Sequence, residues 1–357
     1  MTLRLTRLEV SLLVAWLLLL GTQMVLSSLK PAAPSEVRTS SISWKEQERF
    51  TREQVRKTMG MGRQELADRV RQHPSVWWRF QIAVLGCLFL FFGSIFQWLR
   101  IFFGVVQHRP LVQQLGNPPP PTWSLREILR LILCILVAVQ LCVLAEWRVI
   151  HSMHPPWLDR HVLALVNTLL VDAVAVAGAA WFFLRGWGRE TGDSGWNGSR
   201  IQAGVRFGIR SYLTAIPIFL LLLLVVAAVL NLLKIQPPPQ AVFTIYLSEK
   251  RGWVLKGLLL LAVVAGPIAE ELFFRGLLYG WLRVRIGVWR ALWGTAFLFA
   301  FLHTDPVAFL PILGLGLLFG WVYEKTGSLA ASMAVHIFHN AGMLYVASLV
   351  KAISSLT

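Results

Sequence analysis

Two adjacent carboxylates, an arginine, three histidines and an asparagine stand within the apolar last hundred or so residues of this chain, where ionisable groups are few. Inside a membrane-spanning helix such groups cost several kcal/mol and mark function by default. The run Gly266-Pro267-Ile268-Ala269-Glu270-Glu271-Leu272-Phe273-Phe274-Arg275 places two carboxylates and a guanidinium in one hydrophobic helix. Glu271 and Arg275 are four apart on one face, with Glu on the N-terminal side, the favourable order for an ion pair. Glu270 points about 100° away from that pair and is available to face a cavity. One glutamate reads as structural and the other as chemical. His303 closes the next apolar run, Phe299-Ala300-Phe301-Leu302-His303, which Asp305-Pro306 stops. His336 and Asn340 lie four apart on one face of the last run, and His339 sits off that face by about 60°.

Each piece has a plainer reading. A lone His in an apolar helix is more often a packing residue, and a Glu–Arg pair can simply tie helices together. Their joint occurrence on three neighbouring runs shifts the balance, because a packing network needs no extra Glu beside two His and an Asn. Asp172 and Asn231, polar residues in earlier runs, read as helix–helix glue.

The elements that must position these residues are membrane helices. Hydrophobic residues make up 56% of 357 and charged residues 15%, with a mean hydropathy of +0.60. The apolar residues fall in runs long enough for the roughly 20 residues that a bilayer core requires. Helices satisfy the backbone there, and the runs are too long and Leu-rich for barrel strands. The expected fold is all-α, a polytopic transmembrane bundle of about eight or nine helices. Spans are expected over 10–29, 81–106, 128–147, 162–184, 212–234, 253–282, 289–303, 307–323 and 328–350. The chain divides into a membrane anchor (1–29), a polar extramembrane helical segment (30–79), transmembrane helices of unassigned role (80–240) and a catalytic block (241–357). The net charge of +16 is carried mostly by Lys and Arg between the runs, where they anchor helix ends. No basic stripe with interleaved aromatics suggests nucleic acid. Cys87, Cys134 and Cys142 lie inside apolar runs and offer no disulfide framework.

The three motifs, EExxxR (Glu270, Glu271, Arg275), FxxxH (Phe299, His303) and HxxxN (His336, Asn340), together resemble those of the CPBP family, the CAAX prenyl endopeptidases and bacteriocin-processing proteins. The stretch Gly314 to Leu329 looks familial as well. The resemblance covers about Trp253 to Tyr345 and implies an intramembrane endopeptidase acting on a membrane-associated peptide or protein. It implies that Glu270 deprotonates a water with help from His303, that His336 and Asn340 donate to the oxyanion, and that Glu271 with Arg275 holds the helix. It leaves the metal open. Glu270, His303 and His336 are a set that suits zinc, but HExxH is absent and Asn340 is a poor zinc ligand and a good oxyanion donor. The expectation is therefore a metal-free, cofactor-free site in the cytoplasmic membrane of a bacterium. Two other classes compete: a non-catalytic scaffold or immunity protein of the same fold, and a proton-coupled transporter with a Glu270, His303 and Asp172 relay.

Overall fold

The structure is a computed structural model describing residues 6–28, 53, 63–110, 112, 114–152, 159–186, 198–235, 241–303 and 305–356. Most of the polar segment expected over 30–79 lies outside the described residues. All regular structure among the described residues is helical: α1 (Arg7–Ser28), α2 (Arg63–Gln72), α3 (Pro74–Val106), α4 (Leu125–Ser152), α5 (Arg160–Gly186), α6 (Gly198–Leu232) and the short α7 (Ala241–Ser248). A continuous helix α8 (Gly252–Ile286) follows, then α9 (Val288–Leu302), α10 (Phe309–Thr326) and α11 (Leu329–Ser354). Six of them, α3, α4, α5, α6, α8 and α11, are long and apolar enough to cross a membrane, and α1 and α9 are shorter apolar helices. Each span expected from the sequence is a helix, so the all-α, polytopic reading holds.

The helices fall into two compact units. The first holds α1, α4, α5 and α8 as far as Trp281. Here α1 packs on α4, α4 on α5, and α5 runs beside α8. A buried charge on α1, Glu9, is met by Arg130 at 2.7 Å and Arg126 at 3.7 Å from α4. Along the other contact, a Cβ at Gly257 would lie 2.9 Å from Leu165, and one at Gly266 would lie 3.9 Å from Asp172. Both helices advance in the same direction between those points, so they are parallel. Seven residues of α5 (165 to 172) match nine of α8 (257 to 266), and the π-helical stretch Leu261–Ala265 falls inside the longer interval. A wider turn absorbs residues that a regular α-helix would carry out of register.

The second unit holds α2, α3, α6, α7, the end of α8 from Leu282, and α9 to α11. Lipid supplies no hydrophobic drive between helices, so close approach there depends on small residues. Two Gly-xxx-Gly pairs provide it. Gly204 and Gly208 of α6 face α11, where a Cβ on Gly204 would come within 3.0 Å of Ala331 and one on Gly208 within 2.5 Å of Val335. Gly316 and Gly320 of α10 face α9, at 3.1 Å from Ala296 and 2.8 Å from Leu292 by the same measure. Leu315, Leu318, Phe319, Val322, Ala331 and Val335 are buried together between these crossings, with Phe207 and Tyr212 against them. Gly327, in the left-handed region at φ 64°, ends α10, and Ser328 caps α11 by accepting from the Ala331 amide. The α10–α11 turn is thereby tight, which sets where His336 starts to project.

Gly208→Ala should lower stability by about 1–3 kcal/mol, because the β-branched Val335 cannot swing out of the way in a helix. Adding Val335→Ala should restore part of the loss. Thermal unfolding of the four proteins in detergent checks both statements, and an unchanged midpoint in Gly208→Ala would refute the close crossing.

Candidate active site

The candidate chemistry in the first unit lies on α8, whose middle is not a uniform helix. Gly266–Glu271 is α-helical, and the stretches on either side, Leu261–Ala265 and Leu272–Tyr279, are π-helical. Pro267 brings no N–H to the ladder, and single π turns occur disproportionately at functional sites. Irregular turns free carbonyls. The Leu277 carbonyl accepts from the buried Trp123 indole N–H at 3.0 Å, which pins the helix from the segment before α4. Within this helix Glu271 and Arg275 are paired at 3.0 Å, with side chains 0% and 2% exposed, and the Arg275 guanidinium lies over the Phe274 ring. The ion pair expected from the four-residue spacing is present. Glu270 is half-buried beside it, one position round the helix and near the middle of the span.

The remaining motif residues belong to the second unit. The His303 Nδ1 lies 2.7 Å from the Phe299 carbonyl oxygen. A carbonyl only accepts, so Nδ1 carries the hydrogen and Nε2 presents the lone pair. Phe299 is the hub of this group. Its ring centroid is 4.6 Å from that of His303 and 6.0 Å from that of His336, edge-on in the latter case. His336 is itself stacked on Phe319, at 4.5 Å and 22°, and is buried. Asn340 follows one turn along α11 on the same face, half-buried. His339 takes a different course: its Nδ1 is 3.0 Å from the Tyr212 hydroxyl of α6. The structure thus brings His303 and His336 to one aromatic centre, and sets His339 apart from them as a partner of α6.

One cluster escaped the sequence reading because its members are far apart in the chain. Asp159 and His161 at the start of α5 meet Glu249 and Arg251 just before α8. His161 Nδ1 is 2.8 Å from Glu249, and one Arg251 nitrogen is 2.6 Å from both Glu249 and Asp159. Asp159, His161 and Glu249 present donor atoms close enough for a metal ion, but the Arg251 guanidinium already bonds both carboxylates. The cluster reads as an ionic latch joining the starts of two parallel helices. Burial works against the charge on Glu249, yet hydrogen bonds from the Arg251 side chain, the Arg251 amide and His161 prevail and bring its carboxyl down to about 2. Asp159 is lowered in the same way: burial opposes, and bonds from Arg251 and the Val162 amide outweigh it. The readable signal was charge on both sides of two span starts, Asp159-Arg160-His161 and Glu249-Lys250-Arg251.

The glue reading of two earlier polar residues is corrected. Asn231 occupies an exposed position of α6, so it bridges no helices. Asp172 does sit at a helix contact, but its Oδ2 is buried with no hydrogen-bond partner among the described residues. Glue requires a bond, and Asp172 Oδ2 makes none.

Two outcomes follow from this chemistry. Arg275→Lys should reduce stability, since an ammonium lacks the planar fork of the guanidinium, and an unchanged unfolding midpoint would count against the pair. The depressed carboxyls of the latch contribute stability that is whole above about pH 4.5 and is lost as pH falls toward 2. Glu249→Gln should therefore flatten the acid limb of the melting profile and lower the midpoint at neutral pH.

Residues 252–342 match the family described as Rce1-like: Type II CAAX prenyl endopeptidase Rce1-like. No curated protein and no solved structure matches the chain. The matched segment runs through α8, α9 and α10 into α11 and contains every motif residue from Glu270 to Asn340. With six membrane-length apolar helices among its described residues, the chain is similar over residues 252–342 to the Rce1-like family of type II CAAX prenyl endopeptidases.

Proposed function

We propose that this chain hydrolyses a peptide bond of a membrane-associated peptide or protein, with Glu270 as the general base. Glu270 takes a proton from a water as the water oxygen attacks the scissile carbonyl carbon. The His303 Nε2 lone pair accepts a hydrogen bond from the same water and aligns it. His336 and Asn340 donate to the oxyanion that forms on the carbonyl oxygen. The C–N bond then breaks, and the proton taken by Glu270 passes to the leaving amine. The match of residues 252–342 carries the reading, because it encloses the full set of groups that this reaction uses.

The local chemistry supports the assignment of roles. Glu271 is paired with Arg275 inside the helix, and Glu270, half-buried beside it, is the carboxylate assigned to the water in this reading. His303 gives its Nδ1 hydrogen to a backbone oxygen and keeps its basic nitrogen for the reaction. His336 lies against two aromatic rings, a low-dielectric setting in which a donor to a developing oxyanion counts for more than in water. The reaction is metal-free in this reading, since Asn340 suits an oxyanion donor and not a zinc ligand. The zinc alternative would use Glu270, His303 and His336, and a backbone-bonded Nδ1–H fits a ligating histidine too. Chelation separates the two.

Purified protein should cleave members of a quenched peptide library offered in lipid or detergent. Glu270→Gln should lower kcat by about 10²–10⁴, as loss of a general base does. Asn340→Ala should lower it by about 10²–10³ with KM little changed. Chelators should leave cleavage intact. Stoichiometric zinc, removed by chelator with the activity and restored by zinc alone, would overturn the metal-free mechanism. No cleavage by wild type would favour the scaffold, and Glu270-dependent proton flux in vesicles without peptide would favour the transporter.

A further inference from the structure

Asp172, in the first unit, has a buried carboxyl oxygen with no hydrogen-bond partner among the described residues. It lies near the middle of α5, within the span His161–Trp181, at a depth where an ionisable group is costly. A polar atom buried without a partner costs about 1–3 kcal/mol, which Leu at the same position would not. Such a group persists where it serves something.

Its neighbour identifies what it serves. Asp172 Oδ2 sits 3.9 Å from the place a Gly266 Cβ would take, so the carboxyl lies against this turn of α8. Gly266 and Glu270 are four apart within the α-helical segment Gly266–Glu271, hence on one face. Helical side chains lean toward the N-terminus and cover the preceding turn. Glu270 therefore reaches back over Gly266, toward the surface that Asp172 occupies. α5 packs against every segment of α8 from Gly252 to Tyr279, which holds the two carboxyls at one level.

We infer that Asp172 is a positioning residue for Glu270: its carboxyl, through one shared water, fixes the orientation of the Glu270 carboxyl. This deepens the peptidase reading and rests on it for the role of Glu270. The pairing itself is a statement about two side chains and is measurable without any substrate.

The test is a double-mutant cycle with Asp172→Leu, Glu270→Gln and the double variant, unfolded thermally in lipid nanodiscs. If the carboxyls share a water, the midpoint shifts are non-additive by at least about 2 °C. Asp172→Leu alone should leave the midpoint unchanged or raise it, because burying an apolar group at this depth offsets the loss of one water-mediated contact. In peptide cleavage, Asp172→Leu should lower kcat at least tenfold with KM within twofold. Asp172→Asn, which keeps a hydrogen-bonding head group of the same shape, should recover most of that loss. Additive shifts would overturn the pairing whatever the activity. A fall in midpoint for Asp172→Leu that Asn reverses would make the residue structural, and would overturn the positioning role. If wild type cleaves nothing, the peptidase reading falls, and the cycle alone still decides whether the two carboxyls are coupled.

Discussion

A carboxylate and a guanidinium shut together inside an apolar helix constrain everything around them. Removing either partner of such a pair leaves a buried charge and costs about 3–5 kcal/mol. Glu271 and Arg275 belong to one helix and are both essentially without solvent exposure, so turning α8 would carry the pair as a unit out of its buried place, and that cost holds the helix to its angular setting. The neighbouring residue inherits that setting. Glu270 lies one step round the helix from Glu271, so the setting of the pair sets its direction too. The π-helical stretches on either side, and the Trp123 indole on the Leu277 carbonyl, hold the same segment along its axis. The role of general base proposed for Glu270 needs such definition, since small misplacements of a reacting group cost orders of magnitude in rate.

The histidine side of the chemistry is positioned by a different force. There the decisive residues are glycines, which make no bond at all. Gly316 and Gly320 let α9 and α10 touch, and Gly204 and Gly208 let α6 and α11 do so. The result is a cluster of rings in which Phe299 borders both His303 and His336. FxxxH thus records two functions of one turn. The Phe299 ring packs against both histidines, and its carbonyl, four residues before His303, sets the tautomer of the His303 ring. The histidine keeps its orientation because it is bonded to its own helix.

What the sequence made legible, and what it did not, divides along the range of the interaction. The helices were readable because a bilayer demands long apolar runs, and the Glu271–Arg275 pair because both partners lie one turn apart. The Asp159–His161–Glu249–Arg251 latch was not, since about 90 residues separate its halves and only the fold brings them together. The π-helical turns around Gly266–Glu271 were equally hidden: no residue type signals a wide turn, and the cue was only a Gly-Pro step inside an apolar run. Asp172 stands out in the sequence as a polar residue in a membrane helix, but its type does not tell that Oδ2 lacks the partner a neighbouring helix ordinarily supplies. Glu270, His303, His336 and Asn340 stood out by type and spacing, yet their joint action on one water is a chemical argument drawn from those types and from the family match.

Buried carboxyls across the described residues are met by cations. Glu9 is met by Arg130, Glu249 by Arg251 and His161, Glu271 by Arg275, and Glu324 by Arg283 at 3.1 Å. In each case the fold supplies a cation to a carboxylate withdrawn from water, as the cost of burying charge requires. The Asp172 oxygen departs from the pattern. A chain that pairs its buried acids so consistently has no difficulty pairing one more, or replacing it with Leu. Structures keep a costly local arrangement where function uses it, and stability is surrendered at such places. The exception lies one helical turn from the glutamate that carries the proposed chemistry, and not at any of the sites that only hold helices together. That coincidence of place, more than the burial of the oxygen itself, links Asp172 to the reaction.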